Sequence, residues 1–182
     1  MLLEIVKYGS GVLRETALPV AAVTPALVKT AEDMLETMYK AKGVGLAAQQ
    51  VGRTEAMCVI DVPVSCEDDE ATKAFNSAVA MPLVMFNPVI VSKEGSQEGK
   101  EGCLSFPNMS APLARAAQVT CQYTDVSGRP QMITARGFLA RAIQHETDHL
   151  AGVLYVDLLD DAERKRLAAR LEKLAKKNGG AL

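Results

Sequence analysis

Both histidines of this chain fall inside one hexapeptide, QHETDH, as His145 and His149. The apolar spacing from Phe138 to Leu150 predicts a helix ending at Gly152, and four residues make about one turn of it. Both imidazoles therefore leave the same side, spaced to hold one cation, with Glu146 one residue round and able to reach a water beside it. Stepping about 100° per residue from Leu139 puts Ala142, Ile143, Glu146 and Leu150 on the apolar stripe and the two histidines on its flank. Glu146 is thus predicted to be buried. An unpaired carboxylate there costs several kcal/mol or takes up a proton, which suits a general base with a raised pKa better than a structural accident.

Two imidazoles do not complete a metal site. A zincin-type endopeptidase takes its third ligand downstream, and HETDHLAGVLY follows the metzincin spacing until Tyr155 stands where that family has histidine. Glu163 and Glu172 sit on a charged amphipathic stretch and read as solvated groups. Upstream, EGCLSFP places Cys103 between Gly102 and the turn-former Pro107. A lone cysteine is more often a small buried hydrophobe. With two histidines lacking a partner, it is the best third ligand, and a thiolate with two neutral imidazoles leaves one position for water.

The rest of the chain is read as a single domain, 1–182, with a helix at about 160–178 as an appendage. Thr24-Pro25 opens a helix with apolar residues from Leu27 to Met38 that stops at Gly43. AMCVIDV (56–62), Leu83–Phe86, Val89–Val91, Val119–Tyr123 and Gln131–Thr134 are strand candidates, the last two joined by a hairpin across Ser127–Pro130. The acidic segment 65–80 reads as a solvated surface loop without a role. Lysine and arginine number 20 against 22 aspartate and glutamate, a net charge of -2 without a basic patch, so DNA binding by counterion release is disfavoured. Four cysteines without a Cys-x-x-Cys pair, and the lack of a leader, point to the reducing cytoplasm. No run of about 18 apolar residues exists to cross a membrane.

Three segments, GVGLAAQQ (43–50), EGCLS (101–105) and QHETDHLAG (144–152), resemble in order and spacing the signature motifs of the peptide deformylases. The likeness runs from IVKYGSGVLRETALPV to about Tyr155. With the element pattern it leads us to expect an α+β fold: antiparallel β-sheets packed around a central HExxH helix, an N-terminal helix and a C-terminal surface helix. The resemblance implies that Cys103, His145 and His149 bind a divalent metal, typically Fe2+, with Zn2+ or Ni2+ able to substitute. Glu146 would move the proton, and Gln50 with the Leu104 N–H would bind the oxyanion formed at the formyl carbon. Gly43, Gly45 and Gly102 would meet the peptide backbone, and Val44, Phe138 and Ala142 the methionine side chain of an N-formylmethionyl substrate. Ser110 stands where several members have an arginine, and Arg115 is expected to pair with Glu101. The basic residues Arg164, Lys165, Arg166, Arg170, Lys173, Lys176 and Lys177 suggest a ribosome contact near the exit tunnel. A non-catalytic binding protein on the same scaffold is the remaining alternative, and retention of Glu146 and Gln50 argues against it.

Overall fold

A computed structural model describes residues 1–179. Helix α1 (Pro25–Lys40) starts where Thr24 accepts the Leu27 N–H at 3.3 Å and proline occupies the first turn. Its buried face, Ala31, Met34 and Met38, packs on Leu46, Met57, Val59 and Phe86. The further elements are β1 (Gly45–Ala47), β2 (Met57–Ile60), α2 (Glu70–Asn76), β3 (Leu83–Glu94), β4 (Gln97–Gly102), β5 (Ser110–Arg115), β6 (Gln118–Thr124), β7 (Pro130–Arg136), α3 (Gly137–Leu150) and α4 (Asp161–Lys177). Five strands form an antiparallel sheet in the order β1-β2-β3-β6-β7, while β4 and β5 pair as a separate hairpin. The α+β class expected from the sequence holds, with α3 as the central helix.

Helix α3 lies on the large sheet. Leu139, Ala140, Ala142 and Ile143 share one buried cluster with Cys58, Ile60, Met85, Val119 and Cys121 of the strands. Helix α4 buries Leu167 and Leu171 against a second cluster that includes Leu13, Phe106, Met109 and Tyr155. The Tyr8 and Phe106 rings stack at 4.8 Å, and Phe106 meets Tyr155 edge-on at 5.1 Å. The segment following β4, which carries Cys103, is thus held between α4 and the N-terminal residues. Among the described residues, no helix is long and apolar enough to cross a membrane.

Four elements differ from the sequence reading. Strand β3 is continuous rather than two pieces: Asn87 takes a left-handed backbone (φ 51°), the register slips between Phe86 and Val89, and pairing resumes past Pro88. The Asn87 amide holds this irregularity by exchanging two 2.8 Å hydrogen bonds with the Val20 backbone. Strands β4 and β5 are absent from the sequence reading: β4 (QEGKEG) has one buried side chain and that is Glu101, and β5 buries only Ala111, Leu113 and Arg115 in a short segment broken by Pro112. An ion network replaces the apolar alternation by which a strand is recognised. The segment 65–80 is not an irregular loop either: it holds a 3-10 turn and α2, with the Asp69 side chain accepting the Thr72 N–H at 2.8 Å.

Candidate metal centre

Three segments far apart in sequence converge at the outer edge of β1. The turn of α3 presents His145 and His149, whose rings lie 4.9 Å apart and nearly perpendicular. The hairpin β4–β5 delivers Cys103, whose Sγ lies 3.3 Å from His149 Nε2. One ligand atom from each of Cys103, His145 and His149 lies within 4.8 Å of the others. The 3-10 turn after β1 presents Gln50: its Oε1 accepts the Ala47 N–H at 2.8 Å, which aims Nε2 at Cys103 Sγ and Ser105 Oγ, both 3.3 Å away.

Behind these three side chains stands a buried polar network. Glu101 Oε1 is 2.6 Å from His145 Nδ1 and accepts Arg115 Nη2 at 2.7 Å, while Oε2 accepts Arg115 Nε and Arg141 Nη1, each at 3.1 Å. Arg115 also pairs with Asp148. The expected Glu101–Arg115 pair is therefore present, but Glu101 also orients a histidine, leaving His145 Nε2 for an ion. Burial opposes ionisation of Glu101, yet His145 and Arg115 outweigh it and hold the carboxyl at about 2. The pKa is depressed in the folded state, so the stabilisation is complete above the unfolded value near 4.5 and is lost as pH falls toward 2. We expect metal-free protein to lose on the order of 3 kcal/mol across that window, and Glu101→Gln to lack this loss, in urea titrations at stepped pH.

Burial raises Glu146 to about 7, and its Oε2 is a buried acceptor without a hydrogen-bond partner among the described residues. His149 Nδ1 is likewise unpartnered. Burial drives His149 well below the ordinary imidazole range; for His145 burial acts in the same direction, but Cys103 and Glu101 beside it prevail and push it well above. A cysteine sulfur, a neutral imidazole and a proton-holding imidazole this close form a donor set that a divalent cation can take over. The residues present fit a metal ion.

The twelve residues expected to bind the metal, act in catalysis or meet the substrate gather here. Gly43, Val44, Gly45, Gln50, Gly102, Cys103, Leu104, Phe138, Ala142, His145 and Glu146 line one cavity of about 300 Å³, and His149 is buried behind it. The histidine flank of α3 is covered by the segment after β4, with both rings buried and Cys103 Sγ 3.3 Å from His149 Nε2. Gly45 has a further reason to lack a side chain: a Cβ would collide with Glu146 Oε1 and lie 2.8 Å from its Cδ. Gly45→Ala is expected to displace that carboxylate and lower turnover by about 10²-fold at unchanged metal content, measured as kcat beside metal analysis.

Sequence reasoning missed Lys7 and Arg141. Lys7 Nζ donates to Leu104 O at 2.9 Å, while Val6 N–H reaches Gln50 O (2.8 Å) and Tyr8 N–H reaches Ser105 O (3.0 Å). The N-terminal segment thereby ties together the two turns that carry Gln50 and Leu104. No periodicity marks such residues. Arg166 and Arg170 of α4 donate to the carbonyls of Ser110 and Asn108, and Lys176 pairs with Glu172. Part of the basic helix face is thus engaged within the chain.

The model of the polypeptide deformylase family matches residues 2–165. A peptide deformylase of Nitrosococcus oceani is 42% identical over 172 residues, covering 94% of this chain and 95% of its own length. One of Desulfitobacterium hafniense is 43% identical over 162 residues, covering 89% and 97%. The crystal structure of peptide deformylase from Ehrlichia chaffeensis superposes with a TM-score of 0.84 at 32% identity, over 98% of this chain and 99% of that one.

Proposed function

The chain belongs to the polypeptide deformylase family, and from that premise we propose which of its residues perform each part of the hydrolysis. It is a hydrolase that removes the formyl group from the N-terminus of nascent peptides, and the family is metal-dependent. Cys103, His145 and His149 would hold the ion, which we take to be Fe2+ with Zn2+ or Ni2+ able to substitute, a choice compatible with mixed thiolate and imidazole donors. Such a cation supplies Lewis acidity and can lower the pKa of a water ligand to about 7.

The remaining work falls to the chain. Glu146 takes the proton of the attacking water and returns one to the departing amine; its burial favours the protonated carboxyl, which suits a group that must both take and give a proton. The Gln50 Nε2 and Leu104 N–H donate to the oxygen that becomes negative as the formyl carbon turns tetrahedral. A thiolate offsets part of the ion's positive charge, which raises the importance of these two donors. Edge strand β1 leaves its outer side open, so the peptide can add alongside Gly43–Gly45 with Gly102 opposite. Val44, Phe138 and Ala142 receive the methionine side chain. Products are formate and a free N-terminal methionine. We assign the reaction to the cytoplasm and treat residues 1–182 as one catalytic domain. A ribosome contact through α4 is proposed for its exposed lysines, such as Lys165, Lys173 and Lys177.

The observation that carries this reading is the clustering of Cys103, His145 and His149 at a cavity whose wall includes Glu146, a buried carboxylate with an unpartnered oxygen among the described residues. Anaerobically purified protein of known metal content should release formate from formyl-Met-Ala and none from the unformylated peptide. The absence of formate from the metal-loaded protein would overturn it.

A further inference from the structure

Helix α3 begins without a cap of its own, since Arg136 at its N-cap makes no side-chain hydrogen bond to it. Its first amides must be satisfied from elsewhere. They are satisfied by Glu67, from the segment 65–80 to which the sequence assigned no role. Glu67 Oε2 accepts the Phe138 N–H at 2.8 Å, and Oε1 accepts the Leu139 N–H at 3.0 Å and Asn76 Nδ2 at 2.8 Å. Asn76 adds a second tie: its Oδ1 accepts the Arg136 N–H and its Nδ2 donates to Arg136 O, each at 3.0 Å. Glu67 is 6% exposed, unlike its neighbours Asp68, Asp69 and Glu70.

The helix start is shaped to admit this carboxylate. Gly137 has a φ of 57°, and a Cβ there would run into Glu67 Oε2 and lie 2.7 Å from Thr72 Cγ2. A negative group at this end also complements the helix dipole. Phe138, whose amide Glu67 holds, is a wall of the catalytic cavity; Ala142 follows one turn on, and His145 about one turn after that.

We propose that Glu67 is a positioning residue of the active site: by capping α3 from a distant segment it sets where Phe138 and Ala142 stand, and hence how tightly the substrate side chain is gripped. This rests on the assignment of those two residues to the methionine pocket. A cap that only stabilised the fold would lower thermal stability and leave substrate preference alone.

The test uses full-length, metal-loaded Glu67→Ala and Glu67→Gln. For Glu67→Ala, KM for formyl-Met-Ala should rise by ~10-fold with kcat nearly unchanged, and the preference for formyl-Met over formyl-Ala peptides should fall by a similar factor. Glu67→Gln should recover part of both, because its carbonyl still accepts on one side while its amide faces an N–H on the other. Amide exchange gives a readout without turnover: Phe138 and Leu139 should exchange faster in Glu67→Ala, and Ile143 should not. Variants with unchanged KM and preference, or with parental exchange at Phe138 and Leu139, would overturn the proposal. A wild-type protein that released no formate would instead sink the assigned activity and the pocket, leaving exchange to judge the cap.

Discussion

Glu146→Ala is expected to keep its metal and to release formate about 10³-fold more slowly than the parent. Glu146 is not among the three clustered ligand groups, so its removal leaves the donor set intact. What disappears is the only proton-accepting side chain in the cavity that is both buried and unpartnered among the described residues. Glu146→Gln should behave alike, since an amide fills the same space and cannot cycle a proton at neutral pH. Metal analysis and formate release on the same preparation check both statements, and near-parental turnover in either variant would remove Glu146 as the base.

Cys103→Ser is expected to weaken metal binding by more than the 10- to 100-fold that loss of an outer-shell partner brings, and activity should fall with it. The hydroxyl is a poor substitute for a thiolate at neutral pH. Gln50 Nε2 loses its sulfur acceptor as well, though Ser105 Oγ remains beside it. Competition with a chelator measures the affinity directly. Unchanged metal content at equal chelator would mean that the third ligand lies elsewhere.

Helix α3 was readable because its information is local. Capping at Thr24, the apolar stripe of α4, the β6–β7 hairpin and the His145–His149 spacing all follow from periods of 3.6 and 2 or from turn chemistry within a few residues. The burial of Glu146 also came from that period, and it is 3% exposed. Cys103 was reached by elimination, because few groups compete for the third place, and its sulfur lies within 4.8 Å of a ring nitrogen of each histidine. By contrast β4 carries a glutamate where a strand would show apolar residues, and β3 is interrupted by a proline that the sheet accommodates with a bulge. Both break the pattern on which strand recognition depends.

The amino-acid sequence alone determined that one turn of helix carries two histidines and a buried carboxylate, and it singled out a sulfur more than forty residues upstream as the group to look for beside them. Tertiary structure decided what holds these groups in place: Glu101 turning His145 between two arginines, Lys7 and its neighbours joining the turns that carry Gln50 and Leu104, bare Gly45 admitting the Glu146 carboxylate, and Glu67 starting α3. The division has one physical cause. Helical and strand periods are written along the chain, whereas an ion pair, a cap from a distant segment or a missing Cβ is defined by which segments meet, and each such contact costs loop-closure entropy that leaves no periodic trace in the residues between.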